Sequence, residues 1–568
     1  MTTGIPGITH WDLLSVEKPS RYIGGEMNQA PGKPGAALRA CLAFPDVYEL
    51  GMSNIAIKIL YEILNEIPDI ACERVFSPWV DFEDLLRRKG LPLYSLETKR
   101  PLSEFDVLGI TLPYEMTFTN VVNLLELGGI PVDRRDRTDG TFVIAGGPSA
   151  SNPLPVADFF DAILIGDGEE ALPELCELIK QSKNQHVVRP KVLAAISELE
   201  GFWVPAFPKP VKRRVFKGFG ASRPPLTPVV PHIEAIHSRA PLEIFRGCIQ
   251  GCRFCNAGFF YRPKRERPAS ALIDCGRSLL ANTGNESLGL VSLSTSDYTA
   301  LSELITGLDK QRMFPDQTLS VPSLRMNDKT LALLETVPEL KKGGLTFAPE
   351  AGSQRLRDII SKNITEEDIL KVVAATRESC YRVMKLYFMM GLPFETDDDL
   401  TAIAELVEKI ENTARREKIK KDINISLSGF VPKPFTPFQW AGQNDTETLD
   451  AKRRHICNAM KKSRARLSWR DSYLCQLEGV LARGDERIGA LLKAARKRGC
   501  RFDGWSEHFR ADAWREAFAE TGIDPSSYTR ERPLSEMLPW EFVDFRTPRE
   551  YFVREYREAA GLAGVQLP

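Results

Sequence analysis

The 568-residue chain carries no surplus of charge: 75 Lys and Arg stand against 76 Asp and Glu, a formal net charge of −1. Net charge therefore selects no partner, and any nucleic-acid or membrane surface has to be local. Long hydrophobic runs are missing too. The most apolar stretch, Val383 to Phe394, is interrupted by Lys385 and is too short to span a bilayer. The amino terminus, Met-Thr-Thr-Gly-Ile-Pro-Gly, has neither the basic start nor the apolar core of a secretory signal. Histidine is scarce, with none between His10 and His186. Eight cysteines (Cys41, Cys72, Cys176, Cys275, Cys380, Cys457, Cys475 and Cys500) show no paired spacing. That pattern argues against a disulfide framework and fits reduced thiols. These absences give the expectation of a soluble, cytoplasmic protein with no membrane association.

What is present is concentrated in one run, Arg246-Gly-Cys248-Ile-Gln-Gly-Cys252-Arg-Phe-Cys255. CxxxCxxC puts three thiolates on one tight loop, while a closed tetrahedral site or a cubane cluster wants four ligands. An iron left without a protein thiolate is a place where another molecule can bind and react. A zinc knuckle, or three buried thiols, is the alternative. The next cysteine is Cys275 and the nearest histidine is His237, upstream, so no fourth zinc ligand is at hand.

The chain is too long for a single core. Residues 1–35 are rich in Pro and Gly and read as a loosely held lead-in. Across 36–187 short apolar runs (Leu38–Phe44, Val107–Thr111, Thr141–Ala145, Ala162–Ile165) alternate with helix-like stretches such as Ser53–Leu64 and Thr117–Leu127. This alternation predicts an α/β, doubly wound parallel sheet with ligands at its strand ends. Residues 188–238 carry many prolines and read as a connector. Alternation resumes over 239–440, with strands expected at Leu242–Phe245, Gly289–Leu293, Thr318–Ser320, Gly344–Phe347, Met384–Met389 and Asn424–Phe430. Residues 441–568 read as helical. Within them, Lys452 to Arg501 holds fifteen Lys/Arg against four acids. Such a run is either a solvated helix face or a track for the phosphates of a nucleic acid.

With Phe254 before the third cysteine, the run becomes CxxxCxΦC and resembles the radical S-adenosylmethionine (SAM) enzymes. That resemblance implies a [4Fe–4S] cluster on Cys248, Cys252 and Cys255, and a free iron chelated by SAM. It also implies reductive cleavage of SAM to a 5′-deoxyadenosyl radical and a partial (β/α)6 TIM-type barrel with its site at the strand carboxyl ends. The family's short Gly-Gly-Glu motif falls here on Ser294-Thr295-Ser296, which still donate and accept hydrogen bonds. Ser323 and Arg325 end the third strand, where Arg325 is placed to pair with the SAM carboxylate. Glu350 matches the position that accepts the ribose hydroxyls. The segment with Lys385, Met389, Gly391 and Pro393 resembles the adenine-binding strand end.

Over nearly its whole length the chain resembles radical SAM proteins with an N-terminal cobalamin-binding (Rossmann-like) domain. Shared runs are Arg246 to Gly258, the Phe-Val-Pro-Lys-Pro turn from Phe430, and Leu477 to Asp485. Cobalamin domains of this shape place Asp-x-His-x-x-Gly after the first strand, and here the frame reads Asp46-x-Tyr48-x-x-Gly51. A phenol is a poor metal ligand at neutral pH, so cobalamin would bind without a histidine ligand or not at all. Thr111, Gly146, Gly147 and Gly168, at the other strand ends, complete the cobalamin set that the resemblance implies. The leading expectation is a radical SAM enzyme fed by a flavodoxin- or ferredoxin-like one-electron donor. If cobalamin binds, it methylates an unactivated carbon, and RNA is the first-choice substrate through Lys452–Arg501. A tetrapyrrole or lipid substrate is the alternative within the class, and a non-catalytic iron–sulfur or zinc RNA-binding protein the alternative outside it. A methylthiotransferase is disfavoured, because Cys41, Cys72 and Cys176 are not grouped to hold a second cluster.

Overall fold

The computed structural model describes residues 4–310, 317–327, 330–331, 345–378, 383–420 and 422–566. Cys380 and Gly344 lie outside these residues. The N-terminal domain is built on a six-stranded sheet in the order β2-β1-β3-β4-β5-β6. Its strands are β1 (Leu38–Phe44), β2 (Ile70–Phe76), β3 (Val107–Thr111), β4 (Phe142–Gly146), β5 (Ala162–Leu164) and β6 (Phe202–Trp203). β1 to β5 are parallel and β6 is antiparallel. The order reverses beside β1, and ligands of doubly wound sheets bind at such a switch point, beyond the strand carboxyl ends.

β2 is a strand that the apolar pattern does not announce, because Glu73 and Arg74 sit at its centre. Both are buried. Glu73 accepts from the hydroxyls of Ser95 (2.6 Å) and Thr98, and Arg74 pairs with Glu26 at 3.0 Å and Glu97 at 2.6 Å. Paired in this way, the charges can be buried within a strand covered on both faces.

The lead-in is anchored, contrary to expectation. Ile5, Ile8, Leu13, Val16 and Tyr22 are buried in the main core, and Tyr22 stacks on Phe82 with ring centroids 3.8 Å apart. The connector also has structure. It contributes helix Arg189–Ile196, β6, and a strand Val211–Lys212 that pairs with Val543–Asp544 near the carboxyl terminus.

The barrel contributes six strands at the expected places: Ala240–Glu243, Ser287–Val291, Thr318–Ser320, Leu345–Glu350, Val383–Met390 and Asp422–Gly429. The first three form one parallel sheet and the last three belong to another. A seventh strand, Arg466–Trp469, extends the second sheet in parallel, with Asn424 opposite Arg466. The region from 441 onward is therefore not purely helical: helix Thr446–Ala459 and this strand continue the βα repeat before four longer helices follow. Alternation along the fifth strand buries Met384, Leu386, Phe388 and Met390 against the helix Asp397–Arg416, leaving Lys385, Tyr387 and Met389 on the other face.

The C-terminal helices pack back on the N-terminal domain. One apolar cluster joins Leu108 and Val121 of that domain to Leu491, Trp514 and Trp540, and to Phe259 and Phe260 beside the cysteine loop. Buried and half-buried ion pairs reinforce it, with Arg496 on Glu83 at 3.3 Å and Lys493 on Asp158 at 2.9 Å. Among the described residues no helix is long and apolar enough to cross a membrane.

Candidate functional site

The cysteine loop leaves the first barrel strand through Gly247. Its φ of +96° favours glycine, and a Cβ there would lie 2.6 Å from the Pro263 carbonyl oxygen. Cys255 caps the short helix Asn256–Phe260, its Sγ accepting from the Gly258 N–H at 3.4 Å. Between them, Arg253 is buried and ties the loop down. It donates to the carbonyls of Asp358 (3.3 Å) and Ile359 (2.9 Å) and pairs with Glu555 at 3.2 Å on the last helix. Phe438 N–H bonds the Arg253 carbonyl at 3.1 Å.

All three cysteines line one cavity of about 580 Å³. Burial raises the thiol pKa of Cys248, and that of Cys255 to about 12. A metal binding there has to displace the thiol protons. Among the described residues no three His, Cys, Asp or Glu side chains converge on a single metal ion. A zinc site demands such convergence, whereas a cubane takes one thiolate per iron on separate corners. The donor set fits the cluster better than the zinc.

Phe254, Ser294, Ser323, Arg325 and Glu350 line the same cavity. Ser294 Oγ is buried with no hydrogen-bond partner among the described residues, a polar atom available to a ligand. Thr295 and Ser296 stand behind the wall. Thr295 N–H donates to the Ser323 carbonyl at 3.1 Å and its hydroxyl to Pro322 O at 2.6 Å, and Ser296 Oγ accepts from Arg325 N–H at 3.3 Å. They lock the second strand end to the third. The Arg325 guanidinium is anchored on the Lys362 carbonyl at 2.5 Å.

Glu350 ends the fourth strand after a register irregularity following Phe347, and it holds φ at +69°; Ser323 holds +56°. Non-glycine residues in this region cost energy and concentrate at binding sites. Burial raises the Glu350 pKa while Lys362, 3.1 Å away, opposes the rise. Lys362 carries no sequence signal, because it lies twelve residues beyond its partner on a turn after a short helix.

The expected adenine set is not part of this cavity. Lys385, Met389, Gly391 and Pro393 are absent from its lining. Lys385 sits opposite Thr346, several residues below the strand ends. Gly391, at φ +79°, is required where Asn444 and Leu449 approach to 3.0 Å of a would-be Cβ. Its turn serves packing of helix Thr446–Ala459.

A second cavity, about 430 Å³, lies between the N-terminal sheet and the barrel mouth. Thr111, Gly146, Gly147 and Gly168 line it. Its floor is apolar, with Leu42, Ile59 and Ile144, and at Gly146 a Cβ would meet no atom closer than 3.9 Å, so the glycine keeps that space open. Among the described residues its lining holds no histidine, cysteine or methionine. Asp46, Tyr48 and Gly51 are not in it, a correction to the sequence reading. Tyr48, 1% exposed, donates to Glu26 Oε1 at 3.1 Å and accepts from the His232 N–H at 3.2 Å. Asp46 accepts from the Trp505 indole at 3.0 Å, and a Cβ on Gly51 would strike the Phe76 ring. The motif frame is engaged in hydrogen bonds and packing within the domain. The remaining lining, apolar below with Asp167, Glu169 and Arg246 at its edge, would suit a ligand with an apolar body and a polar rim. Leu293 belongs to the walls of both cavities.

The basic segment is not one surface. Lys452, Arg453, Arg470, Arg487, Lys493, Arg496, Arg498 and Arg501 are engaged in ion pairs. Arg483 is buried on the carbonyls of Ala441 and Arg530. The exposed remainder without an ion pair among the described residues is Arg454, Lys461, Lys462, Arg464 and Arg466, on and after the helix Thr446–Ala459, and Lys497, which stands apart on a later helix.

Two family models match. Residues 56–205 match "Radical SAM proteins, N-terminal" and residues 242–407 match "Radical SAM superfamily". An uncharacterised protein of Methanocaldococcus jannaschii is 28% identical over 462 residues, covering 79% of this chain and 90% of that protein. The ribosomal protein uS12 methylthiotransferase RimO of Thermotoga petrophila is 24% identical over 184 residues, 30% of this chain and 42% of that protein. Among solved structures, the radical SAM methyltransferase TsrM of Kitasatospora setae, with cobalamin and a [4Fe–4S] cluster bound, is similar in fold. The TM-score is 0.50 at 15% identity, over 92% of this chain and 99% of that one. With the family models spanning both the N-terminal domain and the barrel that carries the cysteine loop, the chain belongs to the radical SAM superfamily and is an enzyme of that class.

Proposed function

We propose that the protein is a cobalamin-dependent radical SAM enzyme that methylates an unactivated carbon. The observation that carries the reading is the meeting of the two cavities at Leu293. One bears the three cysteines and the buried Ser294 hydroxyl, and the other has an apolar, glycine-lined floor with no histidine, cysteine or methionine in its described lining. Cys248, Cys252 and Cys255 would hold the cluster. Ser294, Arg325 and Glu350 would hold SAM, and Thr111, Gly146, Gly147 and Gly168 would border cobalamin. When bound, these groups supply a 5′-deoxyadenosyl radical and a transferable methyl group.

The chain's own contribution is position and exclusion of water. Arg253 fixes the loop, Lys362 holds the Glu350 carboxylate, and Arg325 is braced by the Lys362 carbonyl, so little reorganisation is needed when ligand arrives. The reducing equivalent comes from a flavodoxin- or ferredoxin-like donor, and the free thiols suit a reducing cytoplasm.

After anaerobic reconstitution, about four irons per chain are expected, as one cubane requires; about eight would signal a second cluster. Dithionite and SAM should then yield 5′-deoxyadenosine by mass spectrometry, and replacing the three cysteines with Ala should abolish it. An intact cluster with no 5′-deoxyadenosine would sink the radical reading. Bound cobalamin at one per chain supports methylation, and its absence after loading removes it. An RNA substrate draws support only from the five exposed cations between Arg454 and Arg466. Salt-independent or absent binding of bulk RNA in a gel shift would count against it.

A further inference from the structure

Arg246 stands two residues before Cys248, and three carboxylates hold its guanidinium. Nε and Nη2 donate to Glu243 at 3.0 and 3.1 Å, and Nη1 donates to Asp167 at 3.0 Å. Nη2 also lies 2.7 Å from Glu169. Glu243 belongs to the barrel. Asp167 and Glu169 belong to the loop that follows β5 in the N-terminal domain.

The group is nearly closed off, with the Arg246 side chain 11% exposed and its guanidinium 4.9 Å from the Phe219 ring centroid. Arg265, opposite Arg246 in a short antiparallel pair, adds a second tie to Asp167 at 2.6 Å. Asp167, Glu169, Glu243 and Arg246 all form part of the N-terminal cavity wall. On the far side, the left-handed Gly247 packs against the Pro263 carbonyl, so the chain has no slack between Arg246 and the first cysteine. Moving the guanidinium out of this cage would strand buried carboxylates, which is costly.

The geometry points to Arg246 as a positioning residue that couples filling of the N-terminal cavity to the conformation of the cysteine loop. This inference rests on the reading that the cavity takes cobalamin. A ligand that contacts Asp167 or Glu169 changes what holds Arg246, and a cluster that fixes the loop changes where Arg246 presents its donors. Such a coupling is reciprocal, so each occupant raises the affinity for the other by one factor. A cross-domain ion pair elsewhere does not share the arrangement. Lys493, on Asp133 and Asp158, belongs to neither cavity.

The test compares hydroxocobalamin affinity for cluster-loaded and cluster-free full-length protein, by absorbance titration. Wild type should bind at least about fivefold more tightly when loaded, the lower end of ordinary coupling. R246Q and the milder E169Q, whose carboxylate pairs with Arg246 alone, should bring the ratio close to one, while K493Q keeps the wild-type ratio. Hydrogen exchange gives a readout independent of turnover. In cluster-free protein, hydroxocobalamin should protect residues 247–255 in wild type and not in E169Q. An unchanged ratio in both R246Q and E169Q, with both cofactors bound, overturns the coupling, as does an equal collapse in K493Q. If wild type takes up no hydroxocobalamin in either state, the underlying cobalamin reading fails and the coupling falls with it.

Discussion

Replacing Tyr48 with Phe separates a structural phenol from a cobalt-facing one. The hydroxyl makes two hydrogen bonds, donating to Glu26 at 3.1 Å and accepting from His232 N–H at 3.2 Å. The ring is buried and packs edge-on against Phe76, with centroids 5.3 Å apart, and that contact survives in Phe. Glu26 keeps Arg74 at 3.0 Å, so its charge is not stranded. A bond to a charged acceptor is worth about 1.5–3 kcal/mol and a neutral one about 0.5–1.5 kcal/mol. Because one hydroxyl serves both, they do not add fully, and the loss should be about 2–3 kcal/mol. For a domain of this size each kcal/mol lowers the midpoint by about 2–4 °C. Calorimetry should therefore show the transition of the N-terminal domain falling by about 4–12 °C, with cobalamin per chain unchanged by absorbance. Y48H should likewise fail to add an axial nitrogen signal to the spectrum of bound cob(II)alamin. Loss of cobalamin from Y48F at an unshifted midpoint would refute the placement of Tyr48.

Two further perturbations probe burial and the cysteine cavity. Burial raises the Asp503 carboxyl to a pKa of about 6. Its contribution to stability is then present in full below the unfolded value near 3.8 and is lost as pH rises through about 6. D503N should flatten the urea-unfolding pH profile across that window by about 2–3 kcal/mol, and a profile matching wild type would contradict the shift. E350Q should weaken SAM binding to reconstituted protein by about tenfold or more, or about 1.4 kcal/mol. Unchanged affinity by calorimetric titration would remove Glu350 from the SAM site.

Much of the fold was legible because its signals are local. β1 and β3 begin and end where the apolar runs do, and the third barrel strand matches residue for residue. β2 escaped because Arg74 is paired by Glu97 and Glu26 and Glu73 is hydrogen-bonded by Ser95, partners that periodicity does not reveal. The seventh barrel strand escaped because Arg466-Leu-Ser-Trp469 is mostly exposed and carries no apolar run. In the site, residues fixed by motif spacing were found, and residues assigned by analogy of position divided. Ser294, Arg325 and Glu350 reach the cysteine cavity, while Lys385 and Gly391 do not.

The sequence by itself determined that three thiolates share one loop, that two parallel α/β units precede and carry it, and that the strand after the N-terminal lead-in ends in Asp46-x-Tyr48-x-x-Gly51. Only the tertiary structure decided where those side chains point. Asp46 is satisfied by Trp505, 459 residues away, and Arg246 by Asp167, 79 residues before it. Backbone pattern is set by neighbours within a turn or a pleat, so it can be read along the chain. The destination of a buried polar group is set by whichever distant partner relieves the cost of desolvating it, and only the folded chain supplies that partner.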